Sequence, residues 1–487
     1  MRKYFLVFYL LTILPLSYGQ GNNIPWKVSS MEEQGMNSMT FINGIKRLKQ
    51  DSTKIHSLLV IRNNHIVADA YFYPFRKNYV HDLASVTKSV TSLLIGIAID
   101  KGFIKNEDQL VYTYFPEITV KNDTLKTLKI KDLLNMSSGL KCSWNNGEKE
   151  LKQMNESEDW VRFMFSLPFE TIPGKKFSYC SGNFYLLAEI LQRTTKMTCL
   201  DFAKKFLFQS LDFGDTFWLK NNQGVNHGWG DLYISVYDMA KIGCLILNDG
   251  KWNDKQLISK EWLEKIKPLY KVQKTESYGY GWWLDSENPD EIQAVGRGGQ
   301  RLFIFKERNM VIAMTGGGFE AGDIDNLVLE SINSFEKDKN YSTQLENLIN
   351  TLQYPDAKNT AISKDNFSIN NLNKSYHFER NELKLNDIRF EQRDKHYYFI
   401  INFLDGTKEE HLIGIDNQYN ISKECVLGLP LAIKGFWDND KLIIYYNDFC
   451  RINLFKFTFT FSATGADLYI QDQTDHWEAL LKGNIIN

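Results

Sequence analysis

The sequence predicts an α+β protein that ends in a separate all-β domain, and three observations support this fold class. Residues 83–102 change from small polar to apolar side chains and end at Gly102, which favours a buried helix. Two pairs of β-rich runs, within 57–72 and 294–315, predict hairpins. After Leu372 the apolar period falls to two, which is typical of strands with one buried face.

Length and charge restrict the class of function. A chain of 487 residues is too long to fold around one small hydrophobic core, so two or three domains are expected. Its 57 basic and 59 acidic residues give a net charge of -2, which offers no electrostatic attraction to nucleic acid. The eight histidines include no His-x-His or His-x-x-x-His pair, so no metal site is expected.

The first residues have the pattern of an export signal. Met1–Lys3 is basic, Tyr4–Leu16 is apolar, and Ser17 and Gly19 are small residues at the positions that a signal peptidase reads. The apolar run is too short for a stable membrane anchor, and no cysteine follows it for lipid attachment. We therefore expect residues 1–19 to be removed and the protein to be exported, either periplasmic or secreted.

Helices and strands alternate through the first predicted domain, residues 20–336. A helix over 36–51 precedes a hairpin whose two strands meet at Asn63-Asn64. Further helices are predicted at 159–165, 183–191, 235–247, 259–266 and 324–335. Residues 337–370 read as a polar linker, and residues 371–487 as an antiparallel sandwich or barrel.

Ser85 and Lys88 are the first candidate catalytic pair. Residues three apart on a helix lie about one turn apart, so the amine of Lys88 can reach the Ser85 hydroxyl. Burial disfavours the charged amine, and a neutral amine accepts a proton from a hydroxyl nucleophile. The helix N-terminus also favours negative charge on a bound carbonyl oxygen. The pattern arises by chance too: Ser138 and Lys141 match it, but Gly139 favours a loop that would not hold the spacing.

A second segment carries Tyr179 and Ser181. Both lie between the Pro173-Gly174 turn and a predicted helix, where side chains can project into a cleft. Taken alone, an ordinary surface loop explains this segment as well.

A third segment, Arg297-Gly298-Gly299, opens a predicted strand. Glycine in a strand marks close approach of a ligand or another backbone, and a cation at that edge can hold a substrate carboxylate. A simple β-bulge remains the alternative.

Six cysteines occur without metal-like spacing. Four of them, Cys142, Cys180, Cys199 and Cys244, lie in or beside core segments and are expected to act as small apolar residues. Pairing of Cys425 with Cys450 within the β domain stays open.

In this order, Ser85-Val-Thr-Lys88, Tyr179-Cys-Ser181 and Arg297-Gly-Gly299 resemble the motifs of the serine β-lactamase and penicillin-binding protein superfamily. The likeness is greatest to the branch of class C β-lactamases, DD-peptidases and esterases, and covers about residues 30–335. It includes the segments 134–140, 228–230 and 280–283.

The resemblance implies a β-lactamase/transpeptidase-like fold, in which an antiparallel sheet flanked by helices lies beside a helical subdomain. It implies that Ser85 attacks a carbonyl to form an acyl-enzyme, while Lys88 and Tyr179 shuttle the proton. Neighbouring cations would push Tyr179 toward phenolate. The N–H groups of Ser85 and Gln300 would form the oxyanion hole, and no metal or organic cofactor would be needed.

Two departures from the superfamily pattern affect the expected substrate. The second motif usually ends in Asn, where this chain has Ser181, although Asn183 lies nearby; the third usually starts with Lys or His, where this chain has Arg297. Both favour ester or amide hydrolysis over β-lactam turnover.

We expect an exported serine hydrolase with a small ester, amide or peptide substrate. The alternative is a penicillin-binding or sensor protein with the same fold and little turnover. Contact of the β domain with the cell wall is a third hypothesis. It rests on Trp437 and Trp477, which a sandwich core would also explain.

Overall fold

The computed structural model describes residues 26–50, 54–77, 79–143, 147–318, 324–336, 339–355, 374–415, 418–422, 429–449 and 451–486. The predicted signal over 1–19, together with Cys425 and Cys450, lies outside these residues. No helix within the described ranges is both long and apolar enough to span a bilayer.

A nine-stranded sheet forms the centre of the first domain. The strands of this domain are β1 (Lys27–Val28), β2 (Ile55–Arg62), β3 (His65–Tyr71), β4 (His81–Asp82), β5 (Phe217–Trp218), β6 (Leu232–Ile234), β7 (Lys251–Trp252), β8 (Lys255–Gln256), β9 (Tyr270–Lys271), β10 (Glu276–Gly279), β11 (Trp282–Asp285), β12 (Glu291–Gly296), β13 (Gln300–Phe305) and β14 (Met310–Gly316). The spatial order in the sheet is β1-β3-β2-β14-β13-β12-β11-β10-β9. Its pairs are antiparallel except β1 with β3.

Both predicted hairpins are confirmed, with one difference. Asn63 and Asn64 have φ of 48° and 61°, the left-handed values that a tight turn between β2 and β3 requires. In the second hairpin a strand, β12, precedes the glycines as well, so residues 297–299 form a turn between two strands.

Helices cover both faces of the sheet. They are α1 (Ser38–Gln50), α2 (Val86–Asp100), α3 (Ile130–Leu134), α4 (Lys149–Glu156), α5 (Trp160–Ser166), α6 (Ser181–Thr195), α7 (Cys199–Ala203), α8 (Val236–Leu247), α9 (Lys260–Leu263), α10 (Ile324–Asn333) and α11 (Ser342–Leu352). On β2, Leu58 and Val60 face a core with α1, α10 and α11, whereas Leu59 and Ile61 face a core with α2, α6 and α8. Burial on both faces explains why β2 is a continuous apolar run. Helix α11 lies within the predicted linker.

Helix α2 is buried from Val86 to Ala98, including its polar residues. Three of its hydroxyl groups donate to backbone carbonyls of surrounding loops: Ser89 to Gly281 (2.7 Å), Thr91 to Gly228 (2.8 Å) and Ser92 to Tyr280 (2.5 Å). A buried hydroxyl without a partner would cost about 1–3 kcal/mol, so these bonds stabilise both the helix and the loops. The first half of α2 is therefore polar because it anchors the loops around the site.

The C-terminal domain is a ten-stranded antiparallel sheet that nearly closes on itself. Its strands are β15 (Ser375–Phe378), β16 (Leu385–Arg393), β17 (His396–Phe403), β18 (Lys408–Leu412), β19 (Asn420–Ser422), β20 (Leu431–Asp438), β21 (Lys441–Asp448), β22 (Leu454–Phe461), β23 (Gly465–Asp472) and β24 (Trp477–Ile486). Gly414, just after β18, accepts from Gly435 N–H at 2.8 Å and so connects the two ends of the sheet. The predicted all-β domain is thus confirmed, and its shape is a near-barrel.

The interior of the near-barrel is aromatic. Phe457 and Phe459 on β22 are buried, as the alternation on this strand predicts. Trp437 and Trp477 pack against the same core, which favours their structural interpretation over a role as a ligand platform.

The near-barrel packs directly on the first domain. The rings of Phe75 and Phe449 stack with centroids 4.3 Å apart. Tyr419 N–H donates to the Tyr73 hydroxyl at 2.6 Å. These contacts bring two loops of the near-barrel, before β22 and before β24, beside the turn at 297–299.

Candidate active site

Ser85 is half-buried and directly precedes α2. The residue before it, Ala84, has φ of 44°, in the left-handed region that disfavours residues with a side chain. Its N–H donates to Asp82 Oδ1 at 2.7 Å, which holds the turn. The hydroxyl of Ser85 therefore lies at a helix N-terminus, whose first N–H groups donate to the backbone carbonyls of residues 83–85.

Lys88 is buried, and its amine contacts the Ser85 hydroxyl. Lys88 Nζ lies 2.8 Å from Ser85 Oγ and 2.9 Å from the carbonyl oxygen of Trp229. Burial lowers the pKa of Lys88 to about 8, against the opposing attraction of Glu148 and Asp231. Roughly a tenth of the amine is then neutral at pH 7, far more than for an exposed lysine. The predicted pair is thus in contact, with its amine poised to accept a proton.

Tyr179 completes a cluster of three groups. Its hydroxyl is hydrogen-bonded to Ser85. Lys88 Nζ lies 5.0 Å from the centre of its ring. On its other side the ring stacks on Trp283, with centroids 6.0 Å apart. The structure therefore brings together the serine, lysine and tyrosine that the sequence singled out.

The expected shift of Tyr179 toward phenolate was wrong. Loss of solvent raises the pKa of Tyr179 well above its ordinary value, and repulsion by Glu148 raises it further. The hydrogen bond to Ser85 opposes this shift but does not reverse it. Tyr179 therefore stays protonated at neutral pH.

Ser181 is the first residue of α6, and its hydroxyl donates to the carboxylate of Glu148. Glu148 is half-buried and has φ of 54°. Its charge acts on both Lys88 and Tyr179, so it belongs to the electrostatics of the site. Sequence reasoning missed Glu148 because no motif spacing connects it to Ser85.

The second segment is also fixed by a covalent bond. Cys142 and Cys180 form a disulfide with Cα atoms 5.3 Å apart, so the expectation that both act as small apolar residues was wrong. The two chain segments run side by side, since the Ser178 hydroxyl donates to the Cys142 carbonyl at 3.0 Å. That proximity joins cysteines that are distant in sequence. Cys199 and Cys244 are buried free thiols, as predicted.

The turn at 297–299 lies beside the residues that precede Ser85. Gly298 and Gly299 have φ of 77° and 91°, which only glycine adopts without strain. A side chain on Gly296 would come within 2.5 Å of the Leu83 carbonyl oxygen, so strand β12 approaches the start of α2 closely. Gln300, paired with Gly296, is buried, and its side-chain amide donates to the Gly316 carbonyl at 2.7 Å.

Arg297 points toward the near-barrel. Its Nη1 lies 2.8 Å from Asp475 Oδ2, and its Nη2 lies 3.2 Å from Asn453 Oδ1. The sequence predicted a cation at this edge, but it contained no signal for these partners, which come from another domain.

Two further carboxylates lie close to the site. Asp82 is buried, and burial together with repulsion by Asp231 raises its pKa to about 7. Asp231 also accepts from His227 Nδ1 at 2.7 Å if that nitrogen carries the proton. Neither was singled out from sequence, because Asp82 belongs to a strand of two residues and Asp231 to a short connection, and neither segment has a recognisable pattern.

Comparisons with known proteins assign the chain to a family. The beta-lactamase family model matches residues 45–323. The 6-aminohexanoate-dimer hydrolase of Paenarthrobacter ureafaciens is 24% identical over 291 residues, which are 55% of this chain and 73% of that protein.

Solved structures extend the likeness to the fold. A structure described as EstCE1, a hydrolase with promiscuous acyltransferase activity, has a TM-score of 0.51 at 12% identity and covers 62% of this chain and 99% of its own. The crystal structure of SurE with D-Leu has a TM-score of 0.50 at 14% identity and covers 92% of this chain and 99% of its own. At such identities these likenesses show a shared fold only.

Proposed function

This chain belongs to the beta-lactamase family, and we propose that it is an exported serine hydrolase that cleaves a small ester, amide or peptide through an acyl-enzyme. The observation that carries the proposal is the 2.8 Å contact between Lys88 Nζ, with its lowered pKa, and Ser85 Oγ. A hydroxyl is a weak nucleophile unless a neighbouring base removes its proton.

Acylation begins with this pair. Neutral Lys88 accepts the proton of Ser85, and Ser85 Oγ forms a bond to the substrate carbonyl carbon. The carbonyl oxygen becomes negative, and the N–H groups of Ser85 and Gln300 stabilise it.

Tyr179 then acts as the acid. As the tetrahedral intermediate collapses, the bond from the carbonyl carbon to the leaving group breaks, and the leaving group takes the proton of the Tyr179 hydroxyl. Tyr179 recovers a proton from the Lys88 ammonium. In deacylation the oxygen of a water molecule bonds to the acyl carbon and passes a proton to Lys88. The bond from that carbon to Ser85 Oγ then breaks, the carboxylic acid leaves, and Ser85 Oγ takes the proton from Lys88.

Export is supported by two features of different kinds. The N-terminal pattern is that of a secretory signal. The Cys142–Cys180 disulfide is typical of an oxidising compartment outside the cytosol.

The substrate class follows from the altered motifs. Ser181 and Arg297 differ from the residues usual at these positions of the motifs, and both side chains are bound within the protein, Ser181 to Glu148 and Arg297 to Asp475. The relative named as a hydrolase of the 6-aminohexanoate dimer supports including open-chain amides among the candidates.

A fluorophosphonate probe tests the nucleophile. We expect mass spectrometry to place a single label on Ser85 and para-nitrophenyl ester turnover to disappear in Ser85→Ala. The matched control is Ser138→Ala, which removes a serine that also has a lysine three residues later and should keep both label and turnover. Labelling at Ser138, or turnover that survives Ser85→Ala, contradicts the proposal. Labelling without turnover of any ester or amide would instead favour a penicillin-binding or sensor protein.

A further inference from the structure

The near-barrel places a carboxylate at the edge of the candidate active site. Asp475 is 5% exposed and pairs with Arg297, which is 33% exposed, at 2.8 Å. Arg297 belongs to the turn that packs beside the start of α2, and its charge also acts on Asp82. A residue from the C-terminal domain therefore reaches the one motif arginine of the hydrolase domain.

Asp475 is held rigidly within its own domain. Asn453 Nδ2 donates to Asp472 Oδ2 at 2.6 Å and to Asp475 Oδ2 at 3.1 Å, while its Oδ1 accepts from Arg297. The Asp475 N–H donates to Asp472 Oδ1 at 3.3 Å. Both the side chain and the backbone of Asp475 are thus oriented before any substrate binds.

The loop that carries Asp475 is also attached to the hydrolase domain. The Thr474 hydroxyl donates to the Gly317 carbonyl at 3.0 Å, and Lys54 Nζ donates to Gln473 Oε1 at 2.8 Å. Ile452 packs closely on Gly298: a Cβ atom added to Gly298 would lie 2.1 Å from Ile452 Cγ2. The near-barrel therefore packs directly against the turn at 297–299.

We propose that Asp475 is a specificity-determining residue that acts through Arg297: it supplies from within the chain the carboxylate that this arginine would otherwise bind on a substrate. The inference rests on the proposed function and narrows its substrate class to esters, amides or peptides without a carboxylate at this edge. Asp475 is a positioning residue, since it contacts Arg297 and not the reacting atoms.

The acidic groups around Arg297 also disfavour a substrate that carries a carboxylate. The Arg297 guanidinium pairs with the carboxylate of Asp475 and acts on the buried carboxyl group of Asp82. Asp472 accepts from the Asp475 N–H, and its charge acts on the amine of Lys54. A substrate carboxylate would have to displace Asp475 and meet the remaining acids. Hydrogen bonds that involve charged groups are the strong ones, so this exchange is unfavourable.

Two matched pairs of esters test the proposal. One pair is para-nitrophenyl butyrate and para-nitrophenyl hemisuccinate, which carries a carboxylate on the acyl side; the other is the butyrate and its ring-carboxylated analogue. In Asp475→Asn, we expect the ratio of kcat/KM for a carboxylated ester over its neutral partner to rise at least about tenfold, mainly through a lower KM. Asparagine preserves the shape of the side chain and removes its negative charge. In the double variant Asp475→Asn/Arg297→Gln, the ratio should return to that of the parent protein.

Thr474→Val is the matched control. It breaks a contact between the domains one residue away without changing charge, and we expect it to leave the ratio unaltered. If Asp475→Asn lowers the melting temperature like Thr474→Val and leaves the ratio unchanged for both pairs, the ion pair only joins the domains and the proposal is overturned.

A binding measurement separates this inference from the proposed function. Calorimetry compares benzoate with benzamide on Ser85→Ala and on Ser85→Ala/Asp475→Asn, where no turnover is needed. We expect benzoate to bind more tightly to the double variant, with benzamide unchanged. Equal benzoate affinity for the two proteins, or no binding to either, overturns the inference whether or not the enzyme hydrolyses esters.

Discussion

Cys142 is disulfide-bonded to Cys180, and this bond joins the loop after Leu140 to the residue between Tyr179 and Ser181. The tyrosine and serine of the second segment are therefore fixed to a loop that is distant in sequence.

Removing this disulfide should destabilise the protein. The cysteines are 38 residues apart. A cross-link of that span reduces the conformational entropy of the unfolded chain, which stabilises the folded state by about 4 kcal/mol. We expect the double variant Cys142→Ser/Cys180→Ser to unfold at lower denaturant and to lose esterase activity as Tyr179 becomes less ordered. Cys199→Ser, at a buried free thiol, is the comparison without a cross-link. Equal midpoints for the double variant and the parent would contradict the prediction.

The pH profile should report Lys88. Burial lowers the pKa of Lys88 to about 8, and the proposed mechanism uses its neutral amine as the base. We therefore expect kcat/KM to rise about tenfold per pH unit below that value and to level off above it. The carboxylate of Glu148 favours the protonated amine, so Glu148→Gln should move the midpoint to lower pH. A midpoint unmoved by Glu148→Gln, or a profile that falls between pH 6 and 8, would show that another group is the base.

Lys88 also predicts how stability depends on pH. Its folded pKa lies below the unfolded value of 10.5, so between about pH 8 and 10.5 the unfolded chain binds more protons than the folded one. The contribution of Lys88 to the free energy of unfolding therefore increases with pH across this window. Urea titrations should therefore show that the free energy of unfolding of the parent rises relative to that of Lys88→Met between about pH 8 and 10.5. All other titrating groups are common to the two proteins, so parallel curves of unfolding free energy against pH would refute the prediction.

Tyr179→Phe should affect substrates according to their leaving group. In the proposed mechanism a protonated Tyr179 supplies a proton to the leaving group, and such general acid catalysis contributes roughly 10²–10⁴-fold. We expect a large loss of kcat for anilides and alkyl esters, which need that proton, and a much smaller loss for para-nitrophenyl esters, whose leaving group departs as an anion. The same loss for both kinds of substrate would mean that Tyr179 only shapes the site.

Thr91→Val should measure how strongly α2 anchors its surroundings. The Thr91 hydroxyl is fully buried and donates to the Gly228 carbonyl at 2.8 Å, so its loss leaves that carbonyl short of a partner and should cost about 1–3 kcal/mol. Thr113→Val removes an exposed hydroxyl that also donates to a backbone carbonyl and should cost less than about 0.5 kcal/mol. Chemical denaturation compares the two, and equal losses would count against this role for α2.

Local geometry explains what was predictable in this chain. The helix from Val86 and the contact of Lys88 with Ser85 follow from the helical repeat, which holds wherever the helix packs. The hairpin at Asn63-Asn64 follows from turn chemistry, and the near-barrel strands follow from a period of two.

Contacts between distant segments explain the rest. The protonation of Tyr179 depends on desolvation and on Glu148, and the disulfide depends on two segments that only the packed fold brings side by side. Loss of water and proximity are properties of a packed interior, and no sequence spacing encodes them.

The amino-acid sequence by itself determined the contact of Lys88 with Ser85 and the family of folds, because each depends on residues that are neighbours along one helix or strand. Only the tertiary structure decided the environment of those residues. Arg297 and Asp475 are 178 positions apart and meet because two domains pack together, and that packing decides which charge the arginine faces.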